Sequence, residues 1–410
     1  MTQTSSLDVA FCRRQFPALD GTWAFLENAG GTLVPRQVIE RTRRFMTHNQ
    51  VQPGEGYGPS VEGAEHIEEG RAALAAVINA EVDEIVIGPS TSSNVYVLSH
   101  ALTAILAPGD EVIVTNQDHE ANNGAWRALE RQGLVIKEWQ ASAETDDLEV
   151  EDLEALLSER TRLVCFTHCS NIAGLVHDVA AITARIHAAG ALVCVDGVAY
   201  ASHRRVDVKA LDVDLYLYSP YKVFGPHMGV LYGKRDLLAS LANQGHYFVP
   251  GDDAQRRLCP GGYNYELTAA AGGITEYFDL LHEHHHPGTN LPRKESIDRV
   301  YGLTSAHEDR LAGRLEDYLR GKPQVRLVGA RAERERVGVY AFTIEGRDSR
   351  EIPPLLHAER IGVHADDFYA ARYIDALGVR PQGGVVRVSL AHYNDDSDLE
   401  RVIEGLERAI

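Results

Sequence analysis

The chain has 410 residues, enough for one large and one small domain, and its 44% hydrophobic and 24% charged residues are typical of a globular protein. Its net charge of −19 argues against nucleic acids and anionic membranes as partners. The five cysteines show no disulfide-framework spacing, and no apolar segment approaches membrane-spanning length. The composition therefore predicts a cytoplasmic protein.

From residue 84 onward, short apolar segments alternate with helix-like segments. The predicted strands are residues 84–88, 111–115, 134–139, 163–167, 191–196, 215–218 and 229–232. Helices are predicted between several of them, including residues 95–106, 150–159 and 179–189. This α/β alternation is typical of a mainly parallel sheet covered on both faces, in which ligands bind at the carboxyl ends of the strands.

The pattern changes at a run of histidines, residues 282–286, which precedes Pro287 and Gly288. Clustered histidines can ligate a metal, but no second ligand group with matching spacing is evident. We therefore interpret the run as a solvated helix end and predict no metal site. A polar helix over residues 293–313, strands over 325–328, 337–344 and 385–390, and a last helix over 398–410, capped from residues 394–397, predict a smaller α+β domain.

The most informative segment contains Lys222, which follows a predicted buried strand and the pair Ser219-Pro220. A lysine with little water around it has a lowered amine pKa and can form a Schiff base with a carbonyl compound. The alternative is an ordinary lysine that faces water at the end of a strand.

Polar side chains also follow four other predicted strands. Thr91 and Ser92 precede a helix, where hydroxyl and N–H groups could bind phosphate or only cap the helix. His119 could stack on a flat cofactor or close a turn, and Asn171 offers a donor and an acceptor. Asp196 ends the most apolar strand, so its carboxylate needs a partner such as a protonated pyridine nitrogen. Pyridoxal phosphate requires such a set of groups.

These motifs resemble those of the class V aminotransferase family of fold-type I pyridoxal-phosphate enzymes, especially its cysteine-desulfurase-like branch. The resemblance rests on VDGVAY at 195–200 and SPYKVFGP at 219–226, and extends from FLENAG at 25–30 to RVSLAHYN at 387–394. It implies an N-terminal arm over residues 1–30 that joins the small domain. It further implies an aspartate aminotransferase-like large domain over 31–288, with a seven-stranded-type sheet, and a small domain over 289–410. A homodimer with active sites at the interface and an amino-acid substrate are also implied.

The resemblance also implies a role for individual residues. Lys222 would bind the cofactor as a Schiff base, Asp196 would pair with the pyridine nitrogen, and His119 would stack on the ring. The implied phosphate-binding residues are Thr91, Ser92, Ser219 and Tyr221, with Asn171 near the ring hydroxyl. Gly262 and Asn264, in the segment 260–264, would reach the cofactor of the neighbouring subunit. Arg387 would bind the substrate carboxylate, with Asn28 also in the substrate pocket. Tyr369 lies in the loop where the sequence departs from the desulfurases, and is expected to shape the substrate pocket instead.

The sequence departs from the desulfurases in the loop that should carry a persulfide-forming cysteine. The corresponding residues 364–373 contain none, and no cysteine follows Cys259, which is interpreted as a buried residue beside a turn. Ala199 also replaces a glutamine that is common in the family. A C–S or other Cβ–X lyase without a persulfide is therefore predicted.

Other activities remain open on the same residues. These are an aminotransferase, a decarboxylating or carbon–carbon bond-forming enzyme, and an epimerase, because the cofactor supports each of them. A non-catalytic binding protein with this fold is a further alternative. A nicotinamide enzyme is disfavoured, because no G-x-G-x-x-G follows an early strand.

Overall fold

The computed structural model describes residues 6–331 and 334–410. Its strands are β1 (Ala24–Phe25), β2 (Ile85–Gly88), β3 (Glu111–Thr115), β4 (Val135–Trp139), β5 (Thr161–Thr167), β6 (Leu192–Asp196), β7 (Leu215–Tyr218), β8 (Gly229–Gly233), β9 (Val325–Leu327), β10 (Val339–Ile344), β11 (Ile361–Gly362), β12 (His364–Asp366) and β13 (Val385–Ser389). Its α-helices are α1 (Val9–Arg13), α2 (Arg36–His48), α3 (Gly58–Val77), α4 (Thr91–Leu102), α5 (Gly124–Arg127), α6 (Val150–Leu156), α7 (Val179–Ala188), α8 (Val208–Leu211), α9 (Arg235–Ser240), α10 (Ala254–Leu258), α11 (Tyr265–His285), α12 (Arg293–Arg320), α13 (Ile352–Ala358), α14 (Ala371–Ala376) and α15 (Asp396–Ala409).

A seven-stranded sheet in the order β2-β8-β7-β6-β5-β3-β4 forms the centre of the larger part. Strand β8 runs antiparallel to β2 and β7, and the other neighbours are parallel. Both faces are buried: along β6, Val193 and Val195 pack in one apolar cluster and Cys194 in another. Burial on both faces explains the continuous apolar strand sequences. The predicted α/β class with a mainly parallel sheet is confirmed.

The parallel register brings the polar strand ends together at one edge of this sheet. Thr167 at the end of β5 pairs with Asp196 at the end of β6, and Asp196 pairs with Leu217 of β7. Strand β7 ends one residue later, at Tyr218, directly before Ser219. The turn that carries Lys222 therefore starts beside Asp196, although the two are distant in sequence.

A second, antiparallel sheet in the order β12-β13-β10-β9 forms the centre of the C-terminal part. Its apolar core includes Ala24 and Leu26 from the N-terminal segment. Strand β1 pairs in parallel with β11, and Glu27 forms a bridge with Ser389 at the end of β13. The N-terminal segment thus packs on the C-terminal part, while the predicted boundaries at residues 30 and 288 remain predictions.

Helices α2, α3 and α11 were not predicted from the sequence. A Cβ on Gly70 of α3 would overlap the carbonyl group of Thr268 in α11, and one on Gly273 of α11 would overlap the backbone at Val38 of α2. Helices that approach each other this closely need glycine and other small residues where they touch. In α3 and α11, such residues leave only a weak apolar periodicity, which is the main sequence signal of a helix.

Two helices begin earlier than predicted, and the cap of the second, Asp395, lies within the predicted range 394–397. Helix α4 begins at Thr91 rather than residue 95, since the Ser93 N–H donates to the Ser90 side chain. Helix α15 begins at Asp396 rather than residue 398, because Asp395 and Asp398 form a capping box. The earlier start of α4 places Thr91 and Ser92 in its first turn.

The histidine run forms the last turn of α11 and contacts the N-terminal helix. Asp8 N–H donates to Nε2 of His285 over 2.8 Å, and the His284 ring stacks on Phe11 with 3.7 Å between centroids. Across residues 6–331 and 334–410, no group of three or more His, Cys, Asp or Glu could hold a metal ion. Within the same ranges, no helix is both long and apolar enough to span a membrane.

Candidate active site

A cavity of about 270 Å³ lies at the carboxyl edge of the central sheet. Its lining residues are Ser90, Thr91, Ser92, His119, Ala121, Thr167, Cys169, Asn171, Asp196, Val198, Ala199, Ser219, Tyr221, Lys222, His227 and Tyr369. The structure thus brings together the predicted cofactor residues, with the exception of Gly262 and Asn264. Sequence analysis did not identify Ser90, Thr167 or His227 as site residues.

Lys222 ends a short 3-10 turn after β7 and is only 7% exposed. Burial, assisted by the positive charge of Arg387, lowers the pKa of its amine to about 8. The other lysines of the chain form ion pairs with carboxylates: Lys137, Lys209, Lys234, Lys294 and Lys322. The Lys222 amine has no hydrogen bond or ion pair with any residue that the structure describes, so it is available to a ligand in the cavity.

Asp196 is buried, and one of its carboxylate oxygens accepts a hydrogen bond from Val198 N–H over 2.9 Å. The second oxygen has no hydrogen-bond donor among the described residues. Burial raises the pKa of the carboxyl group to about 6, although this hydrogen bond and the charge of Lys222 oppose the shift. A cationic group in the cavity would supply the missing partner.

His119 presents a neutral imidazole ring to the cavity. Its Nδ1 accepts a hydrogen bond from Ala121 N–H over 3.0 Å, so the proton of the neutral ring lies on Nε2. Burial lowers its pKa to about 3, and the charges of Lys222 and Arg387 act in the same direction. A flat, uncharged ring is suited to stacking on a heterocycle.

Hydroxyl groups at the N-terminus of α4 also line the cavity. Thr91 Oγ1 lies 2.7 Å from Ser219 Oγ, and the Tyr221 ring stacks on His227 with 4.2 Å between centroids. A Cβ on Gly229 would overlap the backbone between Ser90 and Thr91, so a glycine is needed where β8 passes this helix start. Free N–H groups and hydroxyls at a helix N-terminus favour an anion.

The loop after β12 forms part of the rim of the cavity. Phe368 and Tyr369 both have left-handed backbones, with φ of +49° and +59°. The Phe368 carbonyl accepts from Asn171 Nδ2 over 3.0 Å, and the Tyr369 carbonyl accepts from Glu120 N–H over 2.7 Å. These bonds fix two strained residues, of which Tyr369 lines the cavity, with its ring 5.3 Å from that of His119.

Arg387 is 2% exposed; it contacts Asn171, a residue that lines the cavity, and its charge acts on Lys222 and His119. Its Nη1 donates to the Asn171 carbonyl over 3.0 Å, and its guanidinium lies 3.7 Å from the centre of the Phe368 ring. Its Nη2 donates to the Glu27 carboxylate over 2.8 Å. The predicted carboxylate-binding arginine therefore already has an intramolecular carboxylate partner.

The structure does not bring three other predicted residues to the cavity. The Asn28 amide group donates to the Phe25 and Ser389 carbonyls, so this side chain joins the N-terminal segment to the C-terminal part. Gly262 is exposed, and Asn264 caps α11 through Leu267 N–H. The contribution of Gly262 and Asn264 to a neighbouring subunit remains a prediction.

A larger cleft, of about 520 Å³, lies on the surface between α2, α3 and α11. Its central cation, Arg41, is paired with Glu69 and Glu276 at 2.8 and 2.7 Å. The charge of Arg41 is satisfied within the chain, unlike those of Lys222 and Asp196. The smaller cavity is therefore the better candidate for an active site.

Comparison with known proteins identifies the family. The Aminotransferase class-V pattern matches residues 24–261 and 301–402. The chain belongs to the class V aminotransferase family. As a member of this family, it is a pyridoxal-phosphate-dependent enzyme.

Individual relatives agree with this assignment. The chain is similar to the aminotransferase-like protein FGM3 of Gibberella zeae, with 36% identity over 99% of this chain and 100% of that protein. It is 33% identical to the cysteine desulfurase-like protein ustD of Aspergillus flavus, over 98% of this chain and 91% of that protein. The crystal structure of the cysteine desulfurase CsdA from Escherichia coli covers 99% of both chains with a TM-score of 0.84 and 26% identity.

The cavity of this class V enzyme has groups that fit pyridoxal phosphate. The Lys222 amine lacks a partner, Asp196 has a carboxylate oxygen available for a ring nitrogen, and the start of α4 provides donors for a phosphate. His119 offers a flat neutral ring beside them. The cofactor would act as an electron sink for a bond at Cα of the substrate.

Proposed function

We propose that this enzyme acts on an α-amino acid as a C–S or other Cβ–X lyase that forms no persulfide. The proposal rests on residues 364–373, the segment that includes the loop after β12 and contains no cysteine. In its place, the loop presents Tyr369 to the cavity. A thiolate that could take sulfur from a substrate is therefore missing at this position.

None of the cysteines is suited to replace that nucleophile, since all five are buried. Cys259 does not line the cavity, and its thiol donates to the Gly262 carbonyl over 3.2 Å. Burial raises its pKa to about 11, so little thiolate is present near neutral pH. Cys169 does line the cavity, but burial raises the pKa of its thiol as well.

Without a thiolate, sulfur would leave the substrate by β-elimination. The Lys222 amine, with its lowered pKa, would take the proton from Cα. The Cβ–S bond would then break, and its electron pair would leave on sulfur, which gains a proton. The remaining 2-aminoacrylate takes up water to give pyruvate and ammonia. Arg387 would hold the substrate carboxylate and so fix which Cα bond is aligned for cleavage.

An aminotransferase is the second candidate, favoured by the name of the Gibberella zeae relative. It would use the same lysine and arginine, but the amino group of the substrate would be retained by the enzyme and a keto acid released. Decarboxylation with carbon–carbon bond formation, and epimerisation, need the same residues too. The products decide between them.

The test is to incubate the enzyme, loaded with pyridoxal phosphate, with cysteine and S-substituted cysteines and to assay the products. We expect pyruvate and ammonia in equal amounts, and no protein-bound persulfide. The variant Cys259→Ser is the control, and it should form pyruvate within about twofold of the wild-type rate because its side chain lies outside the cavity. Alanine together with a persulfide on Cys259 would contradict the proposal. A keto acid without ammonia would favour the aminotransferase.

A homodimer is part of the proposal. The segment with Gly262 and Asn264 is exposed, and so are Tyr247 and Phe248 in the preceding loop, at 95% and 61%. Large exposed aromatic side chains are typical of interaction surfaces. In a dimer this region would reach the cavity of the second subunit.

A further inference from the structure

Arg387, the residue proposed to receive the substrate carboxylate, has only part of its hydrogen-bonding capacity satisfied. Nη1 is bound to the Asn171 carbonyl and Nη2 to one oxygen of Glu27, whereas Nε is buried without a partner. The N–H groups of Nε and Nη2 point along the same edge of the guanidinium group. Glu27 therefore makes one hydrogen bond with this edge, although the edge can donate two hydrogen bonds to a carboxylate.

The two members of this ion pair differ in their freedom to move. The Arg387 side chain is 3% exposed and is held between the Phe368 ring and the Asn171 carbonyl, whereas the Glu27 side chain is 37% exposed. The Glu27 backbone is fixed by its bridge to Ser389. Its carboxylate can therefore turn toward solvent while the backbone of Glu27 and the guanidinium group stay in place.

Gly30 provides the space for the present position of Glu27. A Cβ on Gly30 would overlap both carboxylate oxygens of Glu27, and the backbone of Gly30 does not have the positive φ that would require glycine. A glycine at this position thus allows the Glu27 carboxylate to fold back onto the chain and reach Arg387.

We infer that Glu27 is a displaceable intramolecular carboxylate that competes with the substrate for Arg387 and so sets how strongly a substrate carboxylate must bind. A substrate carboxylate would replace the single bond from Glu27 by a two-bond contact with Nη2 and Nε. Ligands without a carboxylate cannot make this exchange and leave the ion pair intact. Glu27 is then a specificity-determining residue, and this inference rests on the proposed action on α-amino acids.

The test measures binding rather than turnover. The probe is propionate, and its neutral amide, propionamide, is the matched ligand; both are titrated calorimetrically into the enzyme loaded with pyridoxal phosphate. We expect Glu27→Gln to lower the Kd of propionate roughly 5- to 20-fold, because a hydrogen bond between charged groups no longer has to be broken. The Kd of propionamide should not change.

Three further variants make the outcome specific. Gly30→Ala keeps the charge of Glu27 but removes the space that its carboxylate occupies, so it should also tighten propionate binding. This variant serves as the test if Glu27→Gln does not fold. Glu359→Gln removes a carboxylate of similar exposure, 40%, that pairs with Arg408, and should leave both affinities unchanged. Arg387→Gln should abolish propionate binding, both with Glu and with Gln at position 27.

Equal or weaker propionate binding by both Glu27→Gln and Gly30→Ala would overturn the inference and make the ion pair purely structural. Because no turnover is measured, this outcome is separate from the product test. If pyruvate forms but the Glu27 variants do not change propionate binding, only the competition by Glu27 is refuted. If the Glu27 effect is observed but no pyruvate forms, the competition by Glu27 is supported and the lyase activity is refuted.

Discussion

The variant Lys222→Ala should lose turnover by at least about 10⁴-fold, since it lacks the amine that we propose both to hold the cofactor and to take the Cα proton. The protein should still fold. The Lys222 amine makes no hydrogen bond or ion pair with the described residues, and burial of an amine without a partner is unfavourable. Steady-state rates and thermal unfolding without cofactor check these two expectations together.

Lys234→Ala is the matched control. Lys234 follows β8 and pairs with Asp212 and Asp214 at 2.7 and 3.1 Å, so its removal changes an ion pair at the surface and no group in the cavity. We expect turnover within about twofold of wild type. Comparable rates for Lys222→Ala and Lys234→Ala would remove Lys222 from the mechanism.

Asp196→Asn should lower turnover by about 10²-fold or more while cofactor binding is largely retained. The carboxylate is proposed to keep the pyridine nitrogen protonated, and the neutral amide cannot, so the ring withdraws electrons less well. The contacts at the start of α4 are unchanged in this variant. Rate measurements and equilibrium titration with pyridoxal phosphate separate the two effects.

Asp309→Asn provides the comparison for this variant, because Asp309 pairs with Arg204 and its side chain is 52% exposed. It should leave both quantities near wild type. Near-normal turnover of Asp196→Asn would show that Asp196 serves only the structure. A loss of cofactor binding as large as the loss of turnover would show instead that it mainly holds the ring in place.

The sequence predicted the sheet and its ligand edge well, for a physical reason. Strands buried on both faces are continuous apolar segments, and β5 and β6 end at Thr167 and Asp196, two polar residues that line the cavity. In a parallel sheet, such strand ends must meet at one edge. Lys222 and Asp196 could therefore be predicted to lie near each other.

The sequence could not show how residues distant along the chain share hydrogen bonds. Asn28 was predicted to bind substrate, but its amide group contacts Ser389, and the ion pair of Arg387 goes to the neighbouring Glu27 instead. These contacts depend on how the N-terminal segment packs on β13, which no local pattern encodes. His227 was missed because its only signal is the stacking partner, Tyr221, which precedes it by six residues.

We propose that Lys222 holds the cofactor covalently within the cavity at the edge of the sheet. The most direct measurement is mass spectrometry of peptides from the cofactor-loaded enzyme after reduction with borohydride. We expect one pyridoxyl group per chain, attached to Lys222, since the other lysines are engaged in ion pairs with carboxylates. A pyridoxyl group on any of those lysines, with none on Lys222, would show that Lys222 does not hold the cofactor.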